Sequence, residues 1–557
     1  MAEIAETSQR MIGEFLARQM SYNQLGNQEA DKETGDGNEN GGAPFNPDPM
    51  NIGGAFKELS SRMMADPQKL MEANLSLMKG YADLWQNTAA RLMGADTEPL
   101  ITPEPGDRRF KHESWSENNV FDYIKQSYLL TSGWLQSTVR DVEGLDEKDA
   151  QKVDFHTRQF VEALSPSNFL LTNPEVLEAT AESGGENLVK GLQNLLDDLE
   201  EGKGQLRIKM TDPDAFEVGI NVAESSGKVV YRNDLIELIQ FDPATKKVHQ
   251  RPLLIIPPWI NKYYILDLRR ENSFIRWAVE QGHTVFAISW ANPDEKLSHK
   301  AFEDYMLEGP LAALDAIEQA TGEKQVNAIG YCLGGTLLAS TLAYMAPKKD
   351  TRIQSATYFT AMVDFAEPGE LGVFIDETQI SDLEAKMQEK GYLEGAHMAN
   401  TFNMMRGNDL IWSFVVNNYL LGKEPFPFDL LYWNSDSTRM PADMHSFYLR
   451  KMYMENKLVE PGGITLDGVP LDLRKIKTPT YIISTQEDHI APWKSTYAAT
   501  GLYKGPVRFV LSASGHIAGI VNPPKAKKYC YWTNAKTPKN PDKWFEATEK
   551  HNGSWWP

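Results

Sequence analysis

A chain of 557 residues, 41% hydrophobic, is too long for one small domain and holds enough apolar mass for a large core plus a further module. Its formal charge of −21 argues against nucleic acid as the main partner, and an anionic substrate would need a local basic patch. The two cysteines, Cys332 and Cys530, are too few for a disulfide scaffold or a thiolate cluster, and no metal-ligand cluster or dinucleotide fingerprint occurs, so neither cofactor nor metal is expected.

The chain opens on MAEIAETSQRMIGEFLARQM, which contains acids and no unbroken apolar stretch, so no secretory or transit signal is predicted. No later run approaches the about 20 apolar residues of a transmembrane span, and a cytoplasmic protein is expected. Ile4, Met11, Ile12, Phe15 and Leu16 can share one face of a short helix, packed on the protein itself or anchoring it to an apolar surface. Residues 21–55 are rich in Asn, Gly, Asp and Pro and read as a flexible linker, giving a first region over 1–56. A mostly α domain is expected over 57–215: Leu70, Met71, Met78, Tyr81 and Trp85 recur at threes and fours, and a second such pattern runs from Val120 to Val142. Ser-Pro and Asn-Pro within SPSNFLLTNPEVLEAT suit helix entries.

Over 216–557 short β-rich runs alternate with helical ones. Strands are predicted at 229–241, 251–260, 283–290, 326–331, 353–365, 479–488 and 507–516. Several are apolar throughout, as in a parallel sheet covered by helices on both faces. Between about 366 and 474 the alternation lapses into an aromatic, Met-rich, largely helical stretch, read as a cap inserted over an active site.

The chemistry centres on Gly330-Tyr331-Cys332-Leu333-Gly334, where a predicted strand turns into a predicted helix that should end at Pro347. Gly-x-nucleophile-x-Gly between strand and helix is the nucleophile elbow of the α/β-hydrolase fold, with sulfur in the usual place of serine oxygen. The alternative is a buried structural cysteine. An ordinary thiol, with pKa about 8.5, is only a few per cent thiolate at pH 7, so Cys332 needs a base and something to orient it. In this fold the acid and the histidine follow in that order at the ends of later strands. Asp488 ends PTYIISTQED and His516 follows VRFVLSASG. Glu487 and His489 are the competitors for acid and base, and His283 and His445 read as surface or packing residues. An oxyanion hole is expected from the Leu333 amide and a second amide after the strand ending IIPPWI. Pro257 and Pro258 cannot donate, so the second donor is expected at Trp259 or beyond, with Ile260 the candidate taken.

GYCLGGT, PPWINKYYILDL, SPSNFLLTNPE, NDLIWSFVVNNYLLG, LLYWNSDSTRMP, EDHIAPW and SGHIAGIVNPP together resemble the polyhydroxyalkanoate synthases, from about residue 110 to the end. Leu333 after Cys332 looks more like the class I enzymes. The resemblance implies a Cys–Asp–His site at Cys332, Asp488 and His516, a helical N-terminal domain, a mobile cap and an active homodimer. It also implies 3-hydroxyacyl-CoA as substrate and a growing polyester held at a storage granule. Trp433 and Tyr448 match family aromatics near dimer contacts or the substrate path. Asp488 is left either orienting His516 or helping to deprotonate the attacking hydroxyl. Trp412, Phe414, Phe426, Phe428, Tyr432 and Trp433 are expected to keep water out, and Lys262, Arg269 and Arg270 are candidates for coenzyme A phosphates. The competing readings are a cysteine-dependent esterase or lactonase and a non-catalytic granule-surface protein.

Overall fold

The computed structural model describes residues 52–204 and 206–557. The expected terminal helix around Ile4 to Leu16, and the linker as far as residue 51, lie outside them. The described chain forms two compact units: one runs to Asp212 and includes Phe402–Pro427, the other comprises Pro213–Thr401 and Phe428–Pro557.

The first unit is helical. Its main helices are α1 (Ile52–Ala65), α2 (Pro67–Leu92), α3 (Asn119–Arg140), α4 (Glu147–Ala163), α5 (Pro174–Glu182) and α6 (Glu186–Glu201). Thus α1 begins inside the stretch read as linker. Side-chain caps set the starts: Asp66 accepts from the Lys69 amide ahead of Pro67, Asn118 from Val120, and Asn173 from Glu175 ahead of Pro174. Helix α2 packs on α3, where Tyr81 bonds Thr131 at 2.6 Å and the Trp134 indole donates to the Ala73 carbonyl at 3.1 Å. Met71, Met78 and Trp85 of the predicted apolar pattern stay exposed on α2. Asn187 donates to the Leu420 carbonyl at 2.8 Å and Tyr419 to Asp198, which ties the 402–427 segment to α6.

The second unit is built on a ten-stranded sheet. Its strands are β1 (Gly227–Arg232), β2 (Ile236–Phe241), β3 (Leu253–Ile256), β4 (Val285–Trp290), β5 (Val326–Tyr331), β6 (Ile353–Phe359), β7 (Thr480–Thr485), β8 (Val507–Ser512), β9 (Cys530–Thr533) and β10 (Glu549–Asn552). Spatially they run β1-β2-β4-β3-β5-β6-β7-β8-β9-β10. The central strands from β4 to β8 are parallel, and an antiparallel pair flanks each edge. All of β3 is buried, and β4, β5 and β7 nearly so, because helices cover both faces. This is the α/β-hydrolase arrangement expected from sequence.

Several boundaries differ from expectation, and the strand predicted at 251–260 is confined to Leu253–Ile256. The run 229–241 is a hairpin, not one strand: the Asn233 side chain accepts from the amides of Leu235 and Ile236 and turns the chain. β6 stops at Phe359 instead of reaching residue 365. The helix after the elbow, α7 (Leu333–Lys348), runs one residue past Pro347 and closes at Lys349 with φ 57°.

Candidate active site

Cys332 sits between β5 and α7 with φ 50° and ψ −119°, a region that L-residues occupy only under strain. The fold holds it there: its amide donates to the Phe359 carbonyl on β6 at 2.9 Å, and its carbonyl accepts from the Gly335 amide at 2.9 Å. The turn leaves no room at its glycines. A Cβ at Gly330 would stand 2.5 Å from Gly335 Cα, and one at Gly334 would stand 2.0 Å from the Ile256 carbonyl oxygen. Backbone on both sides cannot yield, so Gly334→Ala is expected to destabilise the unit by about 3 kcal/mol or more. Urea unfolding of the variant checks this; an unchanged midpoint would contradict the packing described.

Asp488 lies just beyond β7 and His516 just beyond β8, so the two follow neighbouring parallel strands. His516 Nδ1 and Asp488 Oδ2 are 2.7 Å apart, and both side chains are buried. Asp488 Oδ2 also accepts from Thr485 Oγ1 at 3.2 Å, while Oδ1 accepts from the amides of Ile490 and Ala491 at 2.9 and 2.8 Å. Every oxygen of this carboxylate is engaged. The contact at Nδ1 leaves Nε2 as the other ring nitrogen of His516. The Tyr331 ring stacks on the imidazole at 5.8 Å between centroids, and its hydroxyl donates to the His516 carbonyl at 3.2 Å.

Burial works to lower the pKa of His516, but the charges of Asp488 and Cys332, and hydrogen bonds to both, push it up to about 10. The sign of the linkage follows. The folded state holds this proton more tightly than the unfolded chain, so the contribution to stability is complete below about pH 6.5 and is lost as pH rises through about 10. Replacing Asp488 with Asn removes the largest raising influence. The difference in urea midpoint between parent and Asp488→Asn should therefore shrink across that window, and a pH-independent difference would contradict the assignment.

The competing residues separate clearly. Glu487 is solvent-exposed, so Asp488, not Glu487, is the carboxylate at His516. His489 lies on the same loop, its carbonyl accepting from the Glu370 amide. His283 packs against His249 with ring centroids 4.8 Å apart, and His445 is buried, where loss of solvation lowers its pKa to about 4. Two tyrosines lie in the stretch read as a cap: burial chiefly raises the pKa of both Tyr448 and Tyr453, and the charge of Cys332 adds to it in each, after that of Tyr453 in the case of Tyr448. Their rings are 5.4 Å apart and each contacts Phe365. Phe426 and Phe428, expected to exclude water, are 81% and 43% exposed, whereas Tyr448 and Phe365 are buried and Tyr453 is partly buried. Trp433 packs instead on the loop after β3, its indole donating to the Lys262 carbonyl at 2.8 Å.

Leu333 opens α7, and Ile260 lies four residues beyond β3. Neither amide donates to an acceptor among the described residues. Of the basic candidates, Arg269 is committed to the buried carboxylate of Asp429 at 2.7 Å, and Lys262 stands 4.0 Å from Asp436. Among the described residues no cluster of His, Cys, Asp and Glu is arranged to hold a metal, and no helix is long and apolar enough to cross a membrane. Sequence reasoning missed Tyr331 and Tyr453. Tyr331 was inside the elbow motif itself, whereas only the fold brings Tyr453 to Cys332.

Sheet order, elbow and the Asp488–His516 pair define an enzyme of the α/β-hydrolase fold, and a model of that fold matches residues 252–523. A second model, described as the N-terminus of poly-beta-hydroxybutyrate polymerase (PhaC), matches residues 106–278. The chain is 53% identical to a poly(3-hydroxyalkanoate) polymerase of Methylorubrum extorquens over 89% of its own length and 82% of the relative's. It is 50% identical to a poly(3-hydroxyalkanoate) polymerase subunit PhaC of Rhizobium meliloti over 90% and 82%, and 44% identical to that of Cupriavidus necator over 88% and 82%. The chain belongs to the poly(3-hydroxyalkanoate) polymerases, enzymes of the acyltransferase type.

Proposed function

We propose that Cys332 accepts the acyl group of a short-chain (R)-3-hydroxyacyl-CoA, such as 3-hydroxybutyryl-CoA, as a thioester and passes it to a hydroxyl to lengthen a polyester. The observation that carries this is the buried His516–Asp488 pair acting on an elbow cysteine in a chain of the polymerase family. The Cys332 thiolate attacks the thioester carbonyl, the Sγ–acyl bond forms and the bond to the CoA sulfur breaks. Protonated His516 gives its proton to the departing sulfur, which leaves as CoA thiol. Neutral His516 then takes the proton of the attacking 3-hydroxyl, the oxygen ester forms, and the Sγ–acyl bond breaks. Thiolate and imidazolium are restored, so the proton cycle closes. A raised His516 pKa suits both halves of this cycle.

Sulfur suits the reaction because thioester exchange keeps the acyl group activated at little cost, and ester formation then runs downhill. The four contacts on Asp488 favour its role as orienter of His516 over a role as base for the hydroxyl. The amides of Leu333 and Ile260 supply the oxyanion hole, and Tyr448, Tyr453 and Phe365 shield the thioester from water. The family resemblance supports work as a homodimer at the granule surface in the cytoplasm.

Following CoA release together with turbidity tests this reading. Insoluble polymer is expected to rise with CoA, and faster for short-chain than for medium-chain thioesters. Soluble 3-hydroxy acid released in step with CoA would instead identify a hydrolase.

A further inference from the structure

The loop from Pro257 to Lys262 is held almost entirely through its carbonyls. The Trp290 indole donates to the Pro257 carbonyl at 2.9 Å, the Thr438 hydroxyl to the Trp259 carbonyl, the Thr438 amide to the Ile260 carbonyl at 3.0 Å, and the Trp433 indole to the Lys262 carbonyl. Two of these donors belong to one residue, Thr438, which is fully buried. A trans peptide is planar, and its C=O and N–H point in opposite directions. A hydroxyl that captures the Trp259 carbonyl therefore fixes the direction of the Ile260 N–H on the far side of the same plane.

That N–H has no acceptor among the described residues, and neither has the N–H of Leu333. The two stretches adjoin, because Gly334 is seated directly against the carbonyls of Ile256 and Pro257, and Leu333, Trp259 and Ile260 pack in one apolar cluster. Leu333 is buried and Ile260 partly so, and two neighbouring amides without partners, one of them at a helix start, suit an arriving acceptor.

We infer that Thr438 is a positioning residue for the oxyanion hole: its hydroxyl holds the Trp259–Ile260 peptide so that the Ile260 N–H meets the carbonyl oxygen of the thioester at Cys332. The inference rests on the proposed reading of Leu333 and Ile260 as donors. Thr438 does not come from the strand ends that carry Cys332, Asp488 and His516. It lies where Asn261 bridges Ser437 and where Tyr264 donates to Asp436, on the segment that leads through Met440 to Tyr448 and Tyr453. One segment thus sets a donor of the hole and carries two tyrosines of the apolar cluster against which Cys332 packs. Unseating it would release both.

Valine has the shape of threonine without the donor, and serine keeps the donor with less bulk. Thr438→Val is expected to lower kcat for CoA release about tenfold or more with KM within about twofold, because the hole acts on charge that develops in the transition state. Thr438→Ser should retain most of the rate. Alkylation of Cys332 by iodoacetamide, followed on its own peptide by mass spectrometry, builds up no carbonyl oxyanion and should proceed at the parental rate in both variants. An unchanged kcat in Thr438→Val, a loss in Thr438→Ser as deep as in the valine variant, or a fall in alkylation matching that in kcat would each overturn the inference. Cys332→Ala measured alongside separates the layers. Parental CoA release there would sink the nucleophile reading itself, whereas full loss there with an unaffected Thr438→Val would remove only the role given to Thr438.

Discussion

Replacing Cys332 with alanine is expected to cut CoA release by at least about 10⁴-fold, the scale on which loss of a nucleophile acts when its partners remain. The fold should survive. The side chain is only partly buried, touching the edges of two apolar clusters, and its removal costs about 1 kcal/mol. The strained backbone at φ 50° is imposed by the Phe359 and Gly335 hydrogen bonds and by the packed glycines, none of which involves sulfur. Serine would reach the same place yet offers a poorly ionised alcohol and would form the oxygen ester one step too early, so Cys332→Ser should resemble the alanine variant far more than the parent. Thermal unfolding within a few degrees of the parent, measured on the same samples, separates lost chemistry from lost structure.

Asp488→Asn is expected to slow acyl transfer by about 10³-fold or more while leaving the protein folded, and the reason is a tautomer. Asp488 Oδ1 accepts from two amides, Ile490 and Ala491, so an asparagine must turn its carbonyl oxygen toward them. Its amide group then donates toward His516 Nδ1, which must become the acceptor. The imidazole proton moves to Nε2, the nitrogen that has to receive the hydroxyl proton in the second half of the cycle. Rapid-quench measurement of CoA release and of polymer formation reads both halves. A variant that keeps the parental rate in both would refute the orienting role.

The elbow was legible because its requirement is local: a strand, a turn with no room for side chains at 330 and 334, and a helix, all within one stretch. Asp488 and His516 were legible because the fold fixes where an acid and a base must end their strands, and each closes an apolar run. For the second oxyanion donor the two prolines narrowed the choice only to Trp259 or beyond, and the sequence did not single out Ile260. What long-range packing decides was not legible. Nothing local in Tyr453 or Thr438 announces that one will pack against the same apolar cluster as Cys332 and the other will clamp Trp259. The cap aromatics were chosen by composition, yet Phe426 and Phe428 are exposed while Trp433 and Tyr448 are buried. The hairpin at Asn233 was hidden inside a β-rich run because one side chain capturing two amides makes the turn. β10 escaped notice because an edge strand such as Glu549–Asn552 owes its place to pairing with a neighbour and has no apolar face to bury.

The most direct measurement is mass spectrometry of the protein quenched after a brief pulse of 3-hydroxybutyryl-CoA. One added 3-hydroxybutyryl group, or a short chain of them, is expected on the peptide that contains Cys332, removed by hydroxylamine and missing from Cys332→Ala. Label confined to the Cys530 peptide, or turnover to polymer with Cys332 never modified, would contradict it.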